Sequence, residues 1–100
     1  MSFAIGDHVE WTSQASGSQR TKRGFVLCVV PIRTFAATVL GKLVILEDYN
    51  MRNLDGGYHC REHESYIIRE TQPVTSQAKP KLYWPRVAYL RKVDTDENAP

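Results

Sequence analysis

Several features are scarce or missing in this sequence, and each shortage narrows what the chain can be. Its longest apolar run, residues 25–32, is interrupted by Pro31 and is far too short to span a membrane as a helix. The chain lacks a basic start followed by an apolar stretch, the pattern of a secretory signal, and its only cysteines are Cys28 and Cys60. We therefore expect a cytoplasmic protein without a membrane span or a structural disulfide.

A large excess of one charge is also lacking. The 13 Lys and Arg residues face 11 Asp and Glu residues, a formal net charge of +2, which argues against a polycationic nucleic-acid tail protein. The charge is uneven, because residues 20–92 carry +7, whereas residues 1–19 carry −2 and residues 93–100 carry −3. A basic body of this kind suits a polyanion or an acidic protein surface, and charge alone does not choose between them.

Apolar residues in the first third of the chain recur with the two-residue period of β-strands. Odd positions from 3 to 11 predict a first strand that bends at Gly6 and Asp7. The β-branched run at 25–30 predicts a second, buried strand. Residues 12–24 are polar and rich in Ser, Thr and Gly, so we expect an exposed loop between the two strands.

The rest of the chain predicts more short strands and little helix. These strands are expected at residues 43–47, 65–70, 81–84 and 91–93, with one short helical turn at 85–90 before the last of them. The stretch 34–41 fits either one or two helical turns or a loop. Five to six short strands predict an all-β fold that closes into a small barrel, because closure removes the sheet edges that invite aggregation.

Motifs near the two ends of the chain carry a family resemblance. Residues 6–11 read GDHVEW, residues 22–26 read KRGFV, and residues 83–90 read YWPRVAYL. These motifs cover about a third of the chain and resemble SH3-like barrels of the Tudor and KOW type, especially the bacterial hypervirulence-associated Tudor-like family. In such a barrel, a side chain at Gly24 would crowd the neighbouring strand.

The resemblance implies a domain organisation and a class of function. It implies one SH3-like barrel over residues 1–93, with a middle segment over about 31–62 that is longer than the family's hairpins, followed by a flexible acidic tail over 94–100. Barrels of this kind serve many unrelated tasks. A chain almost wholly consumed by the barrel has no room for a catalytic cleft, which favours a binding module.

The densest group of cations lies at residues 19–23, where Arg20, Lys22 and Arg23 stand close in sequence. Cations near a ring such as Trp11 can pair phosphates and stack a base. Equally, they can be the solvated charges of a hairpin loop that keep an edge soluble. In the barrels that the chain resembles, the loop after the first strand meets ligands at the rim, so we expect electrostatic contacts to run through these three cations.

Aromatic side chains form a second set of candidates. Tudor-like barrels hold a methylated Lys or Arg in a cage of rings, and the rings available here are Trp11, Tyr66, Tyr83, Trp84 and Tyr89. A small barrel also needs large rings to fill its interior, and we expect Trp11 and Trp84 to be mainly structural. Tyr83, Trp84 and Arg86 from the closing motif complete the candidate binding residues.

Cysteine and histidine provide the remaining chemistry. Residues 59–63, HCREH, together with Cys28 have donor atoms for zinc but no paired Cys-x-x-Cys. Cys60 and His63 could act as a nucleophile and a base, yet no third residue nearby orients them. The chain also lacks a Gly-rich phosphate loop. We therefore expect a protein that is not an enzyme, with no cofactor and no metal site.

Three hypotheses for the function follow. The first is a binding module that docks on a protein partner, as an adaptor or inhibitor of a nucleoprotein machine encoded by a bacterium or a mobile element. The second is a protein that binds DNA or RNA through the basic loop at 19–23. The third is a metal-binding protein or an enzyme built on Cys60 and His63.

Overall fold

The computed structural model describes residues 2–15, 18–50, 52–57, 59–72 and 75–93. Within these ranges, the elements in chain order are β1 His8–Ala15, β2 Ser18–Val30, α1 Ala36–Leu43, β3 Ser65–Glu70, β4 Leu82–Tyr83 and β5 Arg91–Lys92. Short 3₁₀ helices lie at Leu46–Asp48, Arg52–Gly57 and Val87–Tyr89. The strands form one antiparallel sheet in the order β4-β3-β2-β1-β5. The prediction of a mainly β protein with little helix is confirmed.

The first two strands form a long hairpin. Its register runs from His8 opposite Phe25 to Ala15 opposite Ser18. The exposed loop predicted at 12–24 is therefore wrong, apart from residues 16 and 17, which lie outside the described residues, and the basic residues 19–23 lie on β2. Gln19, Arg20 and Thr21 of β2 are exposed to solvent, so the composition of this part of the strand resembles that of a loop.

The bend predicted at Gly6 and Asp7 is confirmed. Gly6 has a φ of 94°, a left-handed conformation that glycine adopts without steric cost. The Asp7 carboxylate accepts a hydrogen bond from the backbone N–H of Ala4 at 2.8 Å. The N–H of Gly6 donates to the carbonyl of Val26, and the N–H of Val26 donates to the carbonyl of Asp7, both at 2.9 Å. The bend therefore ties the N-terminal segment to the middle of β2.

The middle segment, residues 31–62, contains helix where the sequence predicts a strand. The strand expected at 43–47 is wrong, because α1 runs through Leu43 and a 3₁₀ helix follows at Leu46–Asp48. The stretch for which both helix and loop were open is α1. Ala36 and Leu40 lie four residues apart on one face of this helix, and both are fully buried. In a strand Thr38 would share that face, whereas in this helix it is exposed.

Two clusters of buried apolar side chains lie on opposite faces of the sheet. The first consists of Phe3, Val9, Trp11, Val26, Tyr66, Ile68 and Leu90. The second lies against α1 and consists of Cys28, Val30, Ala36, Leu40, Leu54, Ile67 and Leu82. The adjacent residues Ile67 and Ile68 belong to different clusters, as strand alternation requires.

A β-bulge lets β2 serve both clusters. In a regular strand Val26 and Cys28 would share a face, yet they belong to different clusters. The register with β3 shifts between these two residues, so Leu27 is an extra residue in β2. The bulge therefore reverses the side-chain alternation in the later half of β2, so that Cys28 and Val30 point to the face that α1 covers.

The C-terminal part follows the sequence prediction closely. The strands expected at 65–70, 81–84 and 91–93 are present as β3, β4 and β5, and the expected helical turn is the 3₁₀ helix Val87–Tyr89. The acidic tail at 94–100 lies outside the described residues, and its flexibility stays a prediction. Among the described helices, none has both the length and the apolar character needed to cross a membrane.

Candidate binding site

The three cations predicted to act together lie on different faces of the hairpin. Lys22 is the register partner of Trp11, and strand alternation places Arg20 on the same face and Arg23 on the opposite one. The Lys22 ammonium donates a hydrogen bond to the hydroxyl of Tyr83 at 3.0 Å and lies 4.4 Å from the centroid of that ring. Arg20 is exposed. The three side chains therefore do not form one basic patch.

Arg23 belongs to an ion-pair triad across three strands. Its Nε donates to one carboxylate oxygen of Glu10 at 3.1 Å, and the Nε of Arg91 donates to the other oxygen. The Glu10 side chain is 14% exposed, whereas the side chains of Arg23 and Arg91 are 60% and 66% exposed. The hydrogen bond from Arg23, supported by Arg91, holds the pKa of Glu10 below its usual value. Glu10 thereby neutralises part of the charge on this face.

The aromatic residues considered for a cage are spread over several places. The rings of Trp11 and Tyr83 lie 5.5 Å apart at an angle of 55°, and the Lys22 ammonium sits over the Tyr83 ring. Tyr66 is buried and packs edge-on against Phe3 in the first cluster. Tyr89 is exposed. Trp11 and Tyr83 are therefore the pair of rings most similar to a cage wall, and Tyr83 already contacts Lys22 of the same chain.

Trp84 belongs to a network around Arg61, a residue that the sequence analysis missed. The Arg61 guanidinium lies 4.1 Å from the Trp84 ring centroid and donates hydrogen bonds to the carbonyls of Trp84 and Pro85 at 2.7 and 2.9 Å. The indole N–H of Trp84 donates to the hydroxyl of buried Ser65 at 2.8 Å. Burial, with nearby Arg86 contributing, lowers the pKa of Arg61. The network connects the end of the middle segment to the residues that follow β4, which indicates a structural role for Trp84.

The cysteine and histidine candidates lie apart. Cys28 is buried in the second cluster, and burial raises the pKa of its thiol to about 11. Cys60, His59 and His63 are exposed. Within the described ranges, no three His, Cys, Asp or Glu side chains are grouped so that they could hold a metal ion.

An open depression of about 300 Å³ lies beside the bend, on the surface of the sheet. We name it the Phe25 depression. Its walls are Ile5, Gly6, Phe25, Val26, Leu27 and Arg69. Two local features create it, because the Gly6 bend places Ile5 beside β2 and the bulge adds Leu27 to the strand. Ile5 is 62% exposed, so an apolar surface remains open to solvent here.

Three side chains line up across the strands at this depression. His8 and Arg69 are both register partners of Phe25. The His8 ring stacks on Phe25 with centroids 4.6 Å apart, and the Arg69 guanidinium lies 5.9 Å from the Phe25 centroid. Among the described residues, no carboxylate forms an ion pair with Arg69. A half-buried cation thus stands at an apolar surface.

Comparisons of the chain with protein-family models, with curated proteins and with solved structures give no match. The resemblance to SH3-like barrels of the Tudor and KOW type therefore stays a hypothesis that rests on the motifs alone.

Proposed function

We propose that this protein is a non-enzymatic binding module that docks on a protein partner through the Phe25 depression. The observation that carries the proposal is an apolar surface formed by exposed Ile5 and by half-buried Phe25 and Leu27, and no residue of α1 lines it. Burying such a surface in a complex gains about 25 cal/mol for each Å² of apolar area. An apolar surface beside a cation suits a protein segment better than a phosphate backbone.

The proposed architecture for this module is a small closed SH3-like barrel. The hydrogen bonds from the Gly6–Asp7 bend to Val26 and the pairing of β5 with β1 support this proposal. The 3₁₀ helix Val87–Tyr89 immediately before β5 also fits the ending of the barrels that the sequence resembles. A role as adaptor or inhibitor of a bacterial or mobile-element nucleoprotein machine, and a cytoplasmic location, belong to the same proposal.

Nucleic-acid binding through residues 19–23 has less support. Lys22 is engaged by Tyr83 and Arg23 by Glu10, so two of the three cations would have to leave partners within the protein. Binding held by phosphate contacts should weaken steeply as salt rises, whereas a mainly apolar interface should change little. Titration with duplex DNA, single-stranded DNA and RNA at low and moderate salt separates the two functions.

Site-specific photo-crosslinking tests the proposal directly. A photoreactive phenylalanine analogue replaces Ile5 in one variant and Ile45 in the control, because these side chains have similar exposure at 62% and 64%. In an extract of the source cells, position 5 should give a discrete protein adduct that excess unlabelled wild-type protein suppresses and excess Ile5→Glu protein does not. Equal adducts from both positions, or adducts to nucleic acid from position 5, would overturn the proposal.

A further inference from the structure

We infer that the segment bound in the Phe25 depression is acidic, with an apolar side chain in the depression and an Asp or Glu two residues away, whose carboxylate pairs with Arg69. The inference rests on the proposed function and adds the chemistry of the partner. We assign the segment to another protein, and no carboxylate among the described residues forms an ion pair with Arg69.

The three arginines on this face of the sheet differ in how their charge is used. Arg23 and Arg91 share the carboxylate of Glu10. Arg69 lies on the same face, as the register partner of Phe25, and forms no ion pair among the described residues. The charge of Arg69 is therefore available to a ligand, whereas those of Arg23 and Arg91 are compensated within the protein.

The position of Arg69 also limits its freedom. Its side chain is half-buried, lines the depression and lies over the ring of Phe25. A guanidinium held against a ring loses less rotamer freedom on binding than an exposed one, and its planar donors match both oxygens of a carboxylate. Arg69 is therefore preorganised to bind a carboxylate, and the Phe25 ring helps to hold the Arg69 guanidinium in place.

Apolar contact and ion pairing can be made by alternate residues of one extended segment. Such residues point to the same side and are about 7 Å apart, close to the 5.9 Å between the Arg69 guanidinium and the Phe25 centroid. The net positive charge of residues 1–93 also favours an acidic partner, since this range holds 13 basic and eight acidic residues. A net positive surface steers an acidic segment toward the site.

Three synthetic nonapeptides test the inference. They share one neutral sequence and differ at the centre, which reads Leu-Glu-Glu, Leu-Gln-Gln or Ala-Glu-Glu. We expect Leu-Glu-Glu to bind about tenfold more tightly than either of the others, as measured by amide chemical-shift titration. The shifts should centre on Ile5, Phe25 and Arg69. Equal binding of the Glu and Gln peptides would overturn the inference.

A pair of arginine variants provides the control. Arg69→Met keeps the apolar stem and should remove the preference for Glu over Gln, while the exposed Arg52→Met should preserve it. Thermal unfolding of both variants shows whether they fold as the wild type does. If Arg69→Met failed to fold, Arg69→Lys would replace it, because an ammonium keeps the charge but should weaken the preference by losing bidentate geometry.

The inference and the proposed function can fail separately. If the partner crosslinked at position 5 bound through a segment without a carboxylate, the inference would be wrong and the proposed function would stand. Concentration-dependent dimerisation that Ile5→Glu abolishes would mean that a second copy of this chain occupies the depression, which overturns the acidic-segment inference. Salt-sensitive oligonucleotide binding at Ile5 and Phe25 would overturn both.

Discussion

The Lys22 ammonium lies 3.0 Å from the hydroxyl oxygen of Tyr83 and 4.4 Å from the centroid of the same ring. One cation therefore uses both the polar tip and the π face of one tyrosine. Trp11 packs against Tyr83 on the same side of the sheet. A residue that the sequence placed in a basic binding loop instead joins the hairpin to β4.

The contact between Lys22 and Tyr83 should be measurable as a coupling free energy. In a double-mutant cycle, Lys22→Met and Tyr83→Leu should show a coupling of about 0.5 to 1 kcal/mol, because a cation on a partly exposed ring contributes that much. Urea unfolding of the four proteins provides the measurement. Arg20→Met combined with Tyr83→Leu is the control and should be additive. Coupling of the same size in both cycles would contradict the assignment.

Glu10 should make stability depend on pH in the acid range. Because its pKa is lowered in the folded protein, its contribution is complete above the usual value of 4.5 and is lost as the pH falls through the folded value. Glu10→Gln should therefore destabilise by about 1 kcal/mol at neutral pH, and the difference from wild type should shrink below about pH 4.

An exposed glutamate serves as the control for Glu10. Glu62 pairs with Arg33, and both side chains are more than 70% exposed, so Glu62→Gln should change stability by no more than about 0.5 kcal/mol at any pH. The measurement is urea unfolding of the three proteins between pH 3 and pH 7. An acid-side slope that survives in Glu10→Gln would show that another group is responsible.

The two glycines Gly24 and Gly41 should respond to alanine in opposite directions. A Cβ at Gly24 would lie 2.3 Å from the carbonyl oxygen of Arg69 and 2.8 Å from a methyl of Ile68, so β3 would have to move. Gly24→Ala should cost roughly 2 to 3 kcal/mol. Gly41 lies in α1, where a Cβ would have no described atom within 4 Å apart from its chain neighbours and the backbone of its own helix, and alanine there should stabilise by about 0.5 to 1 kcal/mol. Thermal and urea unfolding give both values, and destabilisation by both substitutions would contradict this geometry.

The two cysteines should react at different rates with a thiol reagent. Cys60 is exposed, whereas Cys28 is buried and its thiol has a pKa of about 11 because burial disfavours the thiolate. At pH 8, wild type and Cys28→Ser should each show one fast thiol by absorbance with Ellman's reagent, and Cys60→Ser should show none until urea is added. A fast thiol in folded Cys60→Ser would place Cys28 at the surface.

Elements with strong local signals could be predicted from the sequence. β3 combines β-branched and aromatic residues in one run, and Pro85 signals the turn before the last strand. The strand pairing within 12–24 could not be predicted, because the Ser, Thr and Gln residues there show no apolar alternation. The apolar run at 43–47 was also misleading, since a short run of this kind fits the end of a helix as well as a strand.

The candidate site was harder to predict because it depends on register. The role of Gly24 could be inferred, and the crowding expected there is confirmed by the distance to Arg69. The grouping of Ile5, Phe25 and Arg69 requires the Gly6 bend and the bulge at Leu27, and neither the bulge nor the pairing of β2 with β3 has a local sequence signal. Arg61 and Trp84 are separated by 23 residues, so their contact was equally invisible.

The pairing of β2 with β3 governs how quickly the chain can fold. The hairpin of β1 and β2 needs only local contacts, whereas the pairs between β2 and β3 range from Val30 with Ser65 to Gly24 with Glu70. The entropy of closing that long loop must be overcome before either buried cluster can form, because both contain residues from β2 and β3. We expect the encounter of these two strands to be the slowest step of folding, and Trp11 to become buried only after it.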